Sequence, residues 1–449
     1  MKRRSFITKS AAATFGFQIV PSYVVRAKDG EQTPNNKVRL GVIGCGGQGG
    51  GDLNQMASEC DVVALTDVDE RRAADSFNKH PQAKRYQDFR KMFDEKADDL
   101  DAVLVATPDH THYVAVMAAL EAGKHVYCEK PLAHSVAELR SMRKKALEQK
   151  VITQVGNQGN SSESIRVFCE LIWGGAIGDV TQVNMGCDAF KDVYCQIRKK
   201  AEFEQKHDVP KELNWEQWLG PAAERAYHPN YLPFAWRGYS AFGSGCIGDW
   251  ICHVLDPTFM ALDLNMPTAV TAEVKGYDPK TDFEFYPKGT KITYEFPAKG
   301  ERPAVKVTWH DGDFSIPHPD DLEKDRKMHG TGAAVIGTKG TITHGSHGAG
   351  GVRIVPEEKM KAFGRPEKKL DRVPGGHYKG WLAMLRDGEQ RGSSFEYGGA
   401  MSEVGLLGMI AIRFPGTRLE WDEKSMKFTN HDGANALVTP SYRAPWKFS

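Results

Sequence analysis

The chain has 449 residues, long for one compact domain and more naturally divided into two. Hydrophobic residues make up 40%, with 9 Trp, 21 Phe and 14 Tyr, which is enough for a packed core and excludes a disordered chain. The formal net charge of +1 comes from Lys2, Arg3, Arg4, Lys9 and Arg26 in an N-terminus without acids; the remainder is mildly acidic and has no basic stripe to hold nucleic acid by counterion release.

Residues 1–27 read as an address rather than as fold. Lys2-Arg3-Arg4-Ser5-Phe6-Ile7 is a twin-arginine pattern, Ala11 to Val25 is mostly small and apolar, and Val25-Arg26-Ala27 puts small residues where a signal peptidase needs them. The apolar run is too short to span a bilayer, and no cysteine follows it to carry a lipid anchor. The expectation is a twin-arginine signal peptide and a mature periplasmic protein, exported folded and free of the membrane. Residues 28–36 are polar and turn-prone, a linker.

From Val38 short apolar runs alternate with helical stretches. Strands are expected at Val38–Gly44, Val62–Asp67, Ala102–Thr107, His125–Glu129 and Val151–Val155, with helices at Tyr113–Ala122 and Val136–Gln149. Apolar strands separated by helices predict an α/β domain over 37–156, a doubly wound parallel sheet covered on both faces. The rhythm breaks after Val155. A helix at Ser164–Trp173 and a strand at Val180–Cys187 lead into an irregular stretch with Trp215, Trp218, Tyr231 and Trp236. Alternating strands follow at Ala269–Lys275, Lys291–Phe296 and Val305–Trp309, then helices at His377–Asp387 and Ala400–Arg413. Residues 157–449 are therefore expected to be α+β on a mainly antiparallel sheet. The eight cysteines form no CxxC pair and no metal spacing, so no metal site is expected.

Three motifs carry chemistry. Gly44-Cys45-Gly46-Gly47-Gln48-Gly49 follows a strand and opens a helix. Gly44 permits the tight turn, Gly46 lets backbone approach a pyrophosphate, and Gly49 lets helix pack on strand, with the phosphate at the helix N-terminus. Asp67, at the end of the second strand, would take ribose hydroxyls and repel a 2′-phosphate. That favours NAD, with NADP left open by Arg71 and Arg72. Glu129-Lys130-Pro131 ends a strand on the ligand side of such a sheet, where an extended lysine reaches nicotinamide and substrate. In Gly248-Asp249-Trp250-Ile251-Cys252-His253, Asp249 and His253 share a helix face if the stretch is helical, a carboxylate orienting an imidazole base.

Together these residues resemble the Gfo/Idh/MocA oxidoreductases. The resemblance also rests on Ala106-Thr107-Pro108 with His112, and on Gly174-Gly175-Ala176-Ile177-Gly178 before a strand. It implies a Rossmann domain followed by an open-faced sheet domain, the site between them, and homo-oligomers, dimers or tetramers. It implies that Lys130, Asp249 and His253 are catalytic, and that Thr107, Pro108, His112, Glu129 and Lys130 join Gly44, Cys45, Gly46, Gly47, Gln48, Gly49 and Asp67 around NAD. Asn157-Gln158-Gly159-Asn160 replaces the basic and aromatic residues of many relatives. Sugar contacts are expected from Asn157, Gln158, Trp236, Arg237 and His377. The expected reaction is hydride transfer at a secondary hydroxyl or keto group of a sugar, polyol or glycoside, with a tightly held cofactor because the periplasm has no free nicotinamide pool. The alternative is a glycoside hydrolase working by transient oxidation and elimination, whose relatives differ at the Glu-Lys-Pro motif. A non-catalytic NAD-binding protein is a third reading, opposed by the retained Lys130, Asp249 and His253.

Overall fold

The computed structural model describes residues 37–195, 203 and 205–448; the expected signal peptide and residues 28–36 lie outside the described residues. Six parallel strands build the first sheet: β1 (Val38–Ile43), β2 (Cys60–Thr66), β3 (Lys84–Tyr86), β4 (Ala102–Val105), β5 (His125–Cys128) and β6 (Thr153–Val155). Their order, β3-β2-β1-β4-β5-β6, reverses between β1 and β4, and the reversal opens a crevice beyond the strand ends. β1, β4 and β5 read as continuous apolar runs because helices cover both faces. β3 lies outside the expected set: only Tyr86 of Lys84-Arg85-Tyr86 is buried, so the sequence there carries no apolar run.

The second sheet has nine strands: β7 (Val180–Cys187), β8 (Ala269–Lys275), β9 (Gly289–Phe296), β10 (Val305–Gly312), β11 (Gly332–Gly337), β12 (Gly340–Gly345), β13 (Arg353–Val355), β14 (Leu419–Asp422) and β15 (Lys427–Phe428). The order is β13-β12-β11-β7-β10-β9-β8-β14-β15, with β7 and β10 the one parallel pair. Along β8 to β10, Ala272, Ile292, Tyr294, Val307 and Trp309 turn inward. On the opposite face Glu273 pairs with Lys291 at 2.8 Å and Glu295 with Arg418 at 2.7 Å. One face is thus a core and the other is polar.

The second domain grips the first through two late helices. Helix Gly376–Asp387 inserts Trp381, Leu382, Met384 and Leu385 into the cluster that holds Leu40, Val42, Leu65 and Leu104. Helix Phe395–Ala411 crosses helix Val136–Gln149, where the carboxylate of Glu403, fully buried, receives Arg140 at 2.5 Å. Among the described residues no helix is long and apolar enough to cross a membrane. Trp381 is the test of this grip. Trp381→Ala should lower stability by about 3–5 kcal/mol in chemical denaturation and leave a single transition, whereas a separate early transition would mean that the helix is an appendage.

Candidate functional site

The glycine turn after β1 is shaped by contacts a side chain would break. Gly44 has φ +81°, and a Cβ there would lie 2.7 Å from the Ala106 carbonyl oxygen. A Cβ on Gly49 would overlap the Gly44 carbonyl oxygen, so helix Gly47–Met56 can sit on β1 only with glycine at that position. This helix has no side-chain cap and no acid in its first turn, which leaves its N–H groups and positive end open to an anion. The Gly46 N–H donates to Asp67 Oδ2 at 2.9 Å and the Asp69 N–H to Asp67 Oδ1 at 3.0 Å, fixing the carboxylate at the end of β2.

A cavity of about 360 Å³ opens along this turn. It is lined by Gly44, Gly46, Gly47, Gln48, Asp67, Thr107, Pro108, Glu129 and Lys130 from the first domain and by Trp236 and Arg237 from the second. Thr107 Oγ1 is buried with no partner among the described residues, an orphaned hydroxyl in the cavity wall. The open helix terminus, the fixed Asp67 and this hydroxyl fit a dinucleotide. Trp218, Phe234 and the C-terminal Trp446 roof the cavity, a contribution no sequence motif announces. The roof is fastened by Asn214 N–H to Val68 O at 2.8 Å and Glu70 N–H to Glu212 O at 3.0 Å, and the Arg90 guanidinium lies 4.6 Å over Trp446.

Lys130 sits at the inner end. Its Nζ contacts Asp249 Oδ1 at 2.8 Å. Asp249 stands on helix Gly245–Val254 of the second domain, so the ion pair bridges the domains. Tyr194 donates its hydroxyl to Asp249 Oδ2, and Arg237 Nε lies 3.6 Å from the same oxygen. Burial opposes ionisation of Asp249, but Lys130, Arg237 and Tyr194 outweigh it and hold its carboxyl well below the ordinary range. Burial likewise opposes the Lys130 charge, and Asp249 more than restores it, raising Lys130 above a free lysine. The Lys130–Pro131 peptide is cis.

Asp249 and His253 are on one helix as expected, but Asp249 spends its oxygens on Lys130 and Tyr194 rather than on orienting the imidazole. The His253 ring is held by stacking on His347, 4.1 Å between centroids, with Trp250 edge-on at 5.6 Å. His347 reaches it from a turn with φ +55°, and no sequence motif marks that residue. Burial, then the charge of Lys130, pushes the His253 pKa well down, so the ring is neutral, and its Nδ1 has no partner among the described residues.

Several expected contacts lie one layer back. Cys45 is buried and offers its carbonyl oxygen to Ser76 Oγ at 2.6 Å. His112 places Nδ1 2.8 Å from Pro131 O and Nε2 2.8 Å from Thr107 O. Burial lowers its pKa to about 4, so the neutral ring donates to one carbonyl at a time and ties the Thr107 turn to the Lys130 turn. Gln158 Nε2 donates to Glu129 Oε1 at 2.8 Å, and Asn157 Nδ2 to Asp256 Oδ2 at 2.9 Å. His377 is saturated: Nε2 meets Val155 O and Nδ1 meets Ser161 Oγ, both at 2.9 Å. None of Asn157, Gln158 and His377 lines the cavity, and neither do Asp249 and His253; of the expected catalytic set Lys130 alone stands in its wall. Burial raises Asp52 to about 6, and burial together with the neighbouring Asp52 raises Glu129 well above the ordinary carboxylate range. Of the expected sugar contacts, Trp236 and Arg237 do face the cavity, with the guanidinium 4.2 Å over the indole. Gly49→Ala should weaken dinucleotide binding at least about tenfold in a calorimetric titration, because the helix must slide off β1; undiminished affinity would place the dinucleotide elsewhere.

Comparison with known proteins adds an independent line. Residues 38–157 match the Gfo/Idh/MocA oxidoreductase family's NAD-binding Rossmann fold, and residues 170–299 match the same family's C-terminal alpha/beta domain; together they cover more than half of the chain. Inositol 2-dehydrogenase 3 of Saccharopolyspora erythraea is 37% identical over 145 residues, 31% of this chain and 42% of that protein. The chain therefore spans less than half the length of this curated relative. An inositol dehydrogenase homolog from Azotobacter vinelandii, solved with NADH and myo-inositol, superposes with a TM-score of 0.56 at 18% identity over 86% of this chain and 98% of that one. Aldose-aldose oxidoreductase from Caulobacter crescentus, solved with glycerol, gives 0.54 at 17% identity over 86% and 100%. At such identities these likenesses show the fold. With both domains matched in order on either side of the Lys130–Asp249 bridge, the chain belongs to the Gfo/Idh/MocA family of oxidoreductases.

Proposed function

We propose that this chain is an NAD-dependent oxidoreductase that interconverts a secondary hydroxyl and a keto group on a sugar, polyol or glycoside. The observation that carries the reading is a charged lysine, held by Asp249 at 2.8 Å, at the inner end of a dinucleotide-shaped cavity and next to a neutral histidine. Polyol and aldose substrates appear in the names of the similar proteins, and the cavity's Trp236 and Arg237 suit a hydroxylated ring.

The residues divide the work as follows. Bound nicotinamide supplies the hydride acceptor at C4. Lys130 donates a hydrogen bond to the substrate oxygen and favours the alkoxide as it forms. His253 accepts the hydroxyl proton on its neutral imidazole. A depressed imidazole is a weak base alone; the Lys130 charge compensates by acidifying the hydroxyl it touches. The carbon loses hydride, the oxygen loses its proton, and a carbonyl remains. Asp249 is a positioning residue: it keeps Lys130 charged and in place, with Tyr194 fixing its second oxygen.

The twin-arginine sequence supports export to the periplasm in the folded, NAD-loaded state, where a cofactor reoxidised in place would serve better than one exchanged. Replacing Arg3 and Arg4 by lysine should retain the protein in the cytoplasm, and a periplasmic double variant would contradict this route. For the chemistry, purified protein should show sugar-dependent absorbance of reduced nicotinamide. Lys130→Ala should lower turnover by about a thousandfold while NAD still binds. Unchanged turnover in that variant would remove Lys130 from the mechanism.

A further inference from the structure

We propose that Phe190, Phe234 and Trp250 form a subsite for the second ring of a glycoside, so that the preferred substrate carries an aglycone ring rather than being a free monosaccharide. This rests on the carbohydrate reading of the Lys130 site and names its substrate class. Phe234 lines the wall of the dinucleotide cavity next to Trp236 and Arg237. Phe190 packs against it with ring centroids 5.3 Å apart and reaches Trp250 at 6.2 Å. Trp250 in turn stands edge-on to His253. Phe234 thus carries the aromatic group from the cavity wall to the exposed ring of Phe190, with Trp250 packed behind it.

Two features set this cluster apart from ordinary exposed apolar residues. Phe190 is 54% exposed and Phe234 36%, although both belong to one aromatic group at the mouth of the site, where water gains nothing from them. Phe190 also has φ +52°, a left-handed conformation that a bulky side chain adopts only at a cost. The same residue starts helix Lys191–Tyr194, whose last hydroxyl holds Asp249. The backbone is therefore bent to present a phenyl ring to solvent four residues from Tyr194, whose hydroxyl holds Asp249. The C–H face of a pyranose, or an aryl ring, stacks on such a surface, and the indole N–H of Trp250, buried without a partner among the described residues, is a donor for a ring hydroxyl.

The test is calorimetric titration of the NAD-loaded protein with a panel of p-nitrophenyl glycosides and their parent sugars. At least one glycoside should bind about tenfold or more tightly than its parent. That ratio should fall toward one in Phe190→Gly, which keeps the left-handed backbone accessible, and in Phe234→Ala; the NAD titration of each variant reports its fold. Glycosides no tighter than their parents, or a ratio that survives both substitutions, would overturn the subsite. Parent sugars that bind and reduce NAD without any glycoside gain would sink the subsite alone. Failure of every sugar to bind while NAD binds would sink the carbohydrate reading together with it.

Discussion

A lysine and an aspartate taken out of water and set against each other are expensive groups, and the placing of Lys130 against Asp249 organises the rest of this molecule. The partners come from different domains, Lys130 from the turn after β5 and Asp249 from helix Gly245–Val254, so the pair forms only when the two domains are packed. Desolvation on this scale is repaid only when the remaining lone pairs are satisfied. Tyr194 donates to the Asp249 oxygen turned away from Lys130, and the Arg237 guanidinium adds a second positive charge, its Nε 3.6 Å from that oxygen. The outcome is a fixed positive charge beside a neutral imidazole, a pairing suited to accepting a hydroxyl proton and stabilising the alkoxide left behind.

Behind the pair lies a layer of buried polar groups that keeps the turns still. His112 joins the Thr107 and Pro131 carbonyls, and Gln158 links Glu129 at 2.8 Å to Tyr378 at 3.2 Å on the late helix. Asn157 and Asn160 hold Asp256, which also receives the Tyr397 hydroxyl at 2.6 Å. These bonds tie the turns together, although Asp52 Oδ2, Asn157 Oδ1 and Asn160 Oδ1 have no partner among the described residues.

The first domain was legible because its signals are local. Apolar runs such as Val38–Ile43 and Ala102–Val105, and glycines whose missing side chains are required by contact, mark a parallel sheet and its phosphate turn directly. The polar β3 was silent for the opposite reason. In the second domain β11 and β12 are bounded by glycines and joined through Thr338-Lys339, a pattern that reads as loop. The site residues that escaped are those brought in by long-range packing. Tyr194 belongs to a four-residue helix, His347 to a left-handed turn wedged against Gly159, and Trp446 to the tail. The motif spacing put Asp249 and His253 on one face but could not say that Lys130, 119 positions away, would claim the carboxylate.

The central claim is that Lys130 and His253 converge on one substrate oxygen beside a dinucleotide lying on the Gly44–Gly49 turn. A crystal structure with NAD and an oxidisable sugar measures this directly. The account predicts pyrophosphate at the open N–H groups of Gly47 and Gln48, with one sugar hydroxyl within hydrogen-bond reach of both Lys130 Nζ and the His253 ring. A dinucleotide bound away from that turn, or a sugar that leaves Lys130 paired with Asp249 alone and out of reach, would contradict it.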